Sequence, residues 1–337
     1  MSYDYGLQIP TFRMLTMAPV SLEMDRYPIT LCSHLARTQI EITGADRASF
    51  LHNFCTNHIK GLAVGQGCEA IVTNIKGRIL FYVLVFAGPE SLWMEAEPGQ
   101  AGALLAHLER YLITEDVQLI DRSGEFTQLY LSGSSAETCL AQALGRDLAT
   151  LPSPGQIVAQ GVLVRRFSFG SAPGFSLVGA PSEIDAWSTK LLADGAIEGS
   201  AEWFEALRIE AGFPKHGVDL TEDHLAQEAN RTKLAISFTK GCYLGQEPIA
   251  RIDALGHVNR LLCGVISDDP TEIPAGTEVF SKPEATTPSG TLTSTAIWPA
   301  TGLAIGLGML RREISLGGTA CFLGPSRLPA HVRVWPS

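Results

Sequence analysis

The chain has no C-x-x-C pair, no block of basic residues and no apolar run long enough to cross a bilayer. Its longest apolar stretch, residues 79–88, is about half of the ~20 residues that a spanning helix needs, so it reads as a buried strand. Charge is sparse at 18% of residues, and 35 acids against 25 bases leave a formal net of -10. A molecule of that sign repels polyanions as a whole, which disfavours broad binding to nucleic acid or to an anionic membrane and leaves room for a local basic groove only. The seven cysteines (Cys32, Cys55, Cys68, Cys139, Cys242, Cys263, Cys321) are odd in number and scattered. They support neither a disulfide framework nor a zinc site, and most read as small buried hydrophobes in a reducing compartment. The first twenty residues carry Asp4 and Arg13 but no basic start leading into an apolar stretch, so no secretory signal is expected and the expected location is cytoplasmic.

What is present is material for buried cores. Hydrophobic residues make up 45% of 337, enough for two or three domains. The segment Thr38-Gln39-Ile40-Glu41-Ile42-Thr43-Gly44 is matched by Thr127-Gln128-Leu129-Tyr130-Leu131-Ser132-Gly133. Each alternates apolar and polar residues to a glycine and then opens a helical pattern, at Ala45–Leu51 and Ser134–Leu140. Two further strands ending at Pro98 and Pro181 each precede a helical pattern, at Ala101–Tyr111 and Ile184–Leu192, and a hairpin is clearest at Glu69–Asn74 and Arg78–Ala87. The fold class expected is therefore α+β, with two related units over 1–124 and 125–257. From Val258 the texture changes to short alternating segments, the last at His331–Trp335, broken by Gly and Pro. That predicts a small β-barrel or sandwich over 258–337.

Two places suggest chemistry. Ala201–Gly212 predicts a helix in which Ala206, Glu210, Trp203, Leu207 and Phe204 share one arc, with Gly212 as its stop. A carboxylate on an apolar arc is either paired with a nearby arginine, Arg208 or Arg231, or kept as an acceptor for a ligand with two parallel donors. The second place is Phe238-Thr239-Lys240-Gly241-Cys242-Tyr243-Leu244-Gly245-Gln246-Glu247, followed by Arg251 and by Gly256-His257-Val258-Asn259-Arg260. Glycines allow close approach. On a strand, Lys240 and Cys242 would share a face, where the ammonium would favour a thiolate. The plainer reading is a polar interdomain junction. A Cys242–His257 pair has no evident orienting third group.

The run KGCYLGQE at 240–247, with Phe238-Thr239 before it and Ala250-Arg251 after it, resembles the signature of the YgfZ family, tetrahydrofolate-binding proteins linked to iron-sulfur cluster assembly and related to the aminomethyltransferase (T-protein) of the glycine cleavage system. Arg208-Ile209-Glu210-Ala211-Gly212 with Gly217-Val218-Asp219 is similar to that family's R-x-E-x-G and G-x-D stretch. Phe50-Leu51-His52-Asn53 with Thr56-Asn57, Gly65-Gln66-Gly67 with Lys76-Gly77-Arg78, and Gly290–Ser294 with Ile305–Gly308 extend the likeness from about residue 38 to the end. The resemblance implies a three-domain cloverleaf of the aminomethyltransferase folate-binding type, with tetrahydrofolate entering a central hole. It implies Glu210 as acceptor from the pterin edge, Lys240 and Cys242 as the functional pair, and Tyr243, Gln246 and Arg251 as folate contacts, with no resident metal.

Two departures follow from the same comparison. Phe81 and Tyr82 stand where aminomethyltransferases carry an acidic pair, which removes a positioned proton acceptor. Asp253-Ala254-Leu255 precedes Gly256 where an arginine is usual. The favoured reading is thus a folate-binding factor that supports assembly or repair of iron-sulfur proteins, with Cys242 redox-responsive and client or assembly proteins as partners. The alternative is a tetrahydrofolate-dependent aminomethyltransferase or related one-carbon transferase. An RNA-modification factor using a patch of Lys240, Arg251 and Arg260 ranks last, given the acidic net charge.

Overall fold

Segments that alternate and segments that are apolar throughout both become strands in the computed structural model, which describes residues 29–169 and 172–333. In chain order β1 (Thr30–Leu35) leads into β2 (Thr38–Thr43), helix α1 (Arg47–His52), the hairpin β3 (Gly67–Thr73) and β4 (Ile79–Ala87), β5 (Leu92–Ala96) and helix α2 (Ala101–Glu109). The second half repeats the plan, opening with β6 (Gln118–Asp121) and continuing through β7 (Thr127–Ser132), α3 (Ala136–Leu144), the hairpin β8 (Gly155–Ala159) and β9 (Val162–Arg166), β10 (Gly174–Gly179), α4 (Pro181–Ala193) and β11 (Ile197–Glu198). Helix α5 (Ala201–Glu210) follows, capped by the Ser200 hydroxyl accepting from the Trp203 amide and closed by Gly212 at φ +67°.

The two halves form antiparallel sheets in the orders β3-β4-β5-β2-β6 and β11-β1-β7-β10-β9-β8, apart from a short parallel pair between β1 and β11. Their leading strands are exchanged. β1 precedes β2 yet pairs with β7, and β6 precedes β7 yet pairs with β2. Only Ala36 and Arg37 separate β1 from β2, so the chain turns sharply from one sheet into the other. Within the span 1–124 expected as a first unit, β1 therefore sits in the second sheet. Hydrophobic alternation marks a strand but not which neighbour it takes. The first twenty residues, where no secretory signal is expected, and the end of the strand expected at His331–Trp335 lie outside the described residues.

The remaining strands, β12 (Arg260–Ser267), β13 (Glu278–Phe280), β14 (Gly290–Ile297), β15 (Ala304–Arg311), β16 (Ala320–Leu323) and β17 (Leu328–Arg333), close into a six-stranded barrel. Three apolar clusters belong to single units, one on the helix-covered side of each sheet and one inside the barrel. A fourth draws Tyr82, Phe86, Tyr130, Phe167, Phe213, Tyr243 and Leu307 from all three units and marks the centre of the molecule. Helix α5 packs against β14 and β15 at that centre. No helix among the described residues is long and apolar enough to cross a membrane.

The exchanged sheets are joined by buried polar groups. Gln39 and Gln128, matched positions of the repeat, face each other at 3.5 Å. The fully buried Arg165 donates from Nε to Gln156 (2.8 Å) and from Nη1 to Gln39 (2.8 Å) and Glu95 (2.7 Å), with its guanidinium 4.6 Å from the Phe86 ring centre. Arg37 completes the set on Glu95 (3.1 Å) and Glu97 (2.5 Å). Burial alone would raise the Glu95 carboxyl, but Arg37 and Arg165 hold it below the usual carboxylate range. Replacing Arg165 by Met strips Gln39 and Gln156 of a donor and leaves Glu95 half-paired in a dry interface. Urea denaturation of Arg165→Met is expected to show a loss of roughly 3–5 kcal/mol; a loss below ~1 kcal/mol would show the network to be incidental.

Candidate functional site

The segment that carries the motif is not seated on the half that precedes it. Residues 231–255, with α6 (Thr232–Ala235) and α7 (Gln246–Leu255), lie across the first unit. The Ser237 amide donates to Thr56 O (3.0 Å), the Leu244 amide to Asn53 O (2.9 Å), the Thr56 hydroxyl to Ala235 O (2.6 Å) and the Asn57 amide group to Leu234 O (2.8 Å). The motif, placed by sequence in the unit 125–257, thus packs on the first unit, where the loop finds its acceptors just beyond α1. Gly245, at φ +85°, passes so close to the β3–β4 hairpin that a Cβ there would sit 2.4 Å from Asn74 O.

Lys240 and Cys242 are in coil, not on a strand, and they part company. Lys240 is buried, and its ammonium donates to the carbonyls of His52 (2.5 Å), Cys55 (2.5 Å) and Asn57 (2.9 Å), which uses all three hydrogens. The Tyr243 ring lies 4.7 Å from Nζ. Burial pulls Lys240 down to about 8 and pushes Tyr243 up to about 12. The Lys240 cation is thus committed to the carbonyls at the end of α1. Cys242 faces outward and is the one cysteine that is exposed. Burial raises the thiols of Cys55, Cys263 and Cys321 to about 12 and shifts Cys32, Cys68 and Cys139 upward as well.

Glu210 is buried at the end of α5, and its Oε1 accepts from Arg333 Nη2 at the end of β17. Neither arginine suggested by proximity in sequence is that partner. Arg208 is tied to Asp219 (2.7 Å) and Glu205, and Arg231 to Glu69. Tyr243 shares the central cluster with Ala206, Leu207 and Ile209 of α5, so it and Glu210 border one region. Gln246 opens α7 and Arg251 is exposed on it, away from that buried centre. Of the three cations weighed for an RNA contact, Lys240 is buried, Arg260 is paired with Glu228 (2.9 Å) and Arg251 is exposed. No group of three or more His, Cys, Asp or Glu placed to hold a metal occurs among the described residues.

At the departure noted in β4, Phe81 points into the helix-covered core and Tyr82 into the centre. A carboxylate is present there after all. Glu69, on β3, accepts from the Tyr82 hydroxyl and from Arg231 Nε (2.6 Å) and Nη2 (2.5 Å). Sequence reasoning missed Glu69, Arg333 and His52. The one available signal was a lone acid in the strand Gly67-Cys68-Glu69-Ala70-Ile71-Val72-Thr73; pairing across sheets left no local trace for the others.

With the site described, comparison with known proteins is informative. The GCVT N-terminal domain family matches residues 26–240. Proteins named "tRNA-modifying protein YgfZ" are similar along most of their length, that of Yersinia pestis at 30% identity over 74% of each chain and that of Sodalis glossinidius at 29% over 72% of each. This chain belongs to the GCVT-domain family and, within it, to the YgfZ proteins. A chloroplastic protein of Arabidopsis thaliana is 30% identical, and the chain spans 56% of its length. The solved aminomethyltransferase T of the Bartonella henselae glycine cleavage system superposes with a TM-score of 0.82 at 22% identity, covering 93% of this chain and 87% of that one. The fold is accordingly aminomethyltransferase-like, two α+β units with a closed C-terminal barrel.

Exposure and access make Cys242 the thiol expected to react first with limiting iodoacetamide. Peptide mass spectrometry that found Cys55 or Cys263 labelled ahead of it would overturn the site's geometry. A second expectation concerns His52, buried beside the Lys240 ammonium. Burial and then that charge lower its imidazole from 6.5 to about 4. The unfolded chain therefore binds a proton that the folded one refuses between these values, and stability is lost as pH falls from 6.5 towards 4. Replacement by Gln should flatten this slope by on the order of 1 kcal/mol across that window in urea titrations; an unchanged slope would place the acid sensitivity elsewhere.

Proposed function

We propose that the chain binds a reduced folate, tetrahydrofolate or a one-carbon derivative, where its three units meet, and that it supports assembly or repair of iron-sulfur proteins through a redox-responsive Cys242. The observation that carries this reading is Cys242 itself, an exposed thiol on a segment pinned from beneath by a buried lysine. A side chain fixed from below and open above suits contact with another macromolecule, here an iron-sulfur client or assembly protein, and the cluster in this reading belongs to the client. Lys240 acts as a positioning residue. Glu210 supplies the acceptor for the pterin's adjacent N–H and amino groups, the geometry a carboxylate takes bidentately. Tyr243 borders the same centre, and in this reading Gln246 and the exposed Arg251 on α7 are the contacts offered to an anionic folate tail. The cysteines are all free thiols, which fits the cytoplasm.

A second reading is a tetrahydrofolate-dependent aminomethyltransferase or related one-carbon transferase. The Glu69 carboxylate at the centre favours it. Both Glu69 oxygens are engaged by Arg231 and Tyr82, however, so the carboxylate is turned to those partners instead of standing open to a substrate. The "tRNA-modifying" name of the bacterial relatives fits, in this reading, a client that acts on tRNA, given the net charge of -10 and the burial of Lys240.

Isothermal titration with tetrahydrofolate, followed by a turnover assay on the same sample with an aminomethylated lipoyl donor, tests both. Binding without turnover at ordinary enzyme rates is expected. Glu210→Gln turns an acceptor into a mixed donor and should weaken binding by roughly 1.5–3 kcal/mol. Wild-type affinity in that variant would remove Glu210 from the site.

A further inference from the structure

In a chain that carries 35 acids, the segments that frame Cys242 carry none. Three of them meet there. The loop 240–244 crosses residues 52–57, with the Lys240 ammonium on the carbonyls of His52, Cys55 and Asn57 and the Leu244 amide on Asn53 O (2.9 Å). The Asn57 side chain donates to Leu234 O (2.8 Å), and the Lys60 amide donates to His52 Nδ1 (3.3 Å). The turn between β3 and β4 also lies against the loop, where the Thr73 hydroxyl donates to Leu244 O (2.8 Å). Residues 52–62, 73–78 and 231–245 contain no Asp or Glu. Acids resume on α7 at Glu247 and Asp253.

The same segments expose cations and apolar side chains together. Lys60, Lys76 and Lys233 are exposed, and none of them has an ion pair or a side-chain hydrogen bond among the described residues. That sets them apart from Arg37, Arg165, Arg208, Arg231 and Arg260, each of which is held by a carboxylate. Lys240 and Lys60 both add to the positive field at the His52 imidazole, so charge gathers under this loop. Next to the lysines in sequence stand Ile75 (70% exposed) and Leu234 (52%), and Phe238 (40%) is four residues from Cys242.

Cations without partners, mixed with large apolar side chains left in water, make the composition of a protein interface and not of an ordinary solvated face. The cations call for carboxylates. The acid excess of the rest of the molecule repels a long polyanion, and a phosphate backbone would leave Ile75 and Leu234 without an apolar partner, so a compact acidic protein fits better than a nucleic acid. We propose that Lys60, Lys76 and Lys233, with Ile75, Leu234 and Phe238, form a docking surface for an acidic protein that brings a group of that partner to Cys242. This rests on the reading above in which Cys242 meets a client or assembly protein, and it gives that protein's contact face a chemistry: carboxylates beside apolar side chains.

A short synthetic peptide of Asp and Glu interleaved with Leu, titrated calorimetrically into the full chain at low ionic strength, is the probe. It is expected to bind, whereas the same peptide with Lys in place of each acid is not. Lys60→Glu/Lys233→Glu, at exposed positions without partners, should weaken binding by about tenfold or more, and raising the salt should act in the same direction. Phe238→Ser should cost several-fold with the charges intact. Saturating peptide should slow iodoacetamide labelling of Cys242, and an RNA oligonucleotide of equal net charge should bind no tighter than the peptide. A wild type that ignores the peptide, wild-type affinity in either variant, unslowed labelling of Cys242 or tighter RNA binding each overturns the inference. None of these measurements contains folate. A chain that takes the peptide but not tetrahydrofolate loses the folate reading and keeps this surface, and one that takes tetrahydrofolate but not the peptide does the reverse.

Discussion

A buried arginine cannot be left without a carboxylate, and the meeting of Arg165 with Glu95 is the contact on which the arrangement of the two halves rests. Arg165 is in the second sheet and Glu95 in the first. Satisfying the guanidinium fixes how the sheets approach, and Gln39 and Gln128, the same position in each repeat, then face one another across the join. The exchange of β1 and β6 works in the same direction. Each sheet completes itself with a strand that belongs, by chain order, to the other, so neither half closes its own edge alone.

That interlock has consequences for the centre. With the sheets held in this way, the face of β3 and β4 that bears Glu69 and Tyr82 looks towards α5 and Phe213 rather than into solvent. Helix α5 is fastened to the barrel by a second buried set, in which Arg208 Nη1 bonds Asp219 (2.7 Å) and Nη2 bonds Ser294 (2.8 Å). The centre is thus built from three rigid pieces. Two carboxylate–arginine pairs, Glu210 with Arg333 and Glu69 with Arg231, border it, each joining different units. Polar groups placed by packed elements are better oriented for ligand recognition than groups on loops.

The motif segment is the exception, being a loop, and it is made rigid by other means. Lys240 plays the part that a helix or strand plays elsewhere. Three carbonyls at the end of α1 receive its ammonium, and beside the close pass of Gly245 over the hairpin turn the Thr73 hydroxyl donates to Leu244 O (2.8 Å). Gly241, by contrast, has nothing within 4 Å of where a Cβ would stand, so the face that carries Cys242 is open. The lysine and the cysteine of one motif therefore serve opposite sides of the loop.

Local pattern was enough for the elements and for the family. Alternation with glycine breaks located the barrel strands, the repeated Thr-Gln strands located the duplication, and the spacing in KGCYLGQE and R-x-E-x-G carried the likeness, because each depends on residues within a dozen positions. The same locality hid the rest. Glu210 is 123 positions from Arg333, Glu69 is 162 from Arg231, and Lys240 is between 183 and 188 from its carbonyls, separations at which a one-dimensional pattern holds no trace of pairing. Lys240 and Cys242 look like partners two residues apart, and a strand would have made them so. Tertiary structure decided otherwise, since a buried ammonium needs acceptors and three backbone carbonyls at and just beyond the end of α1 supply them.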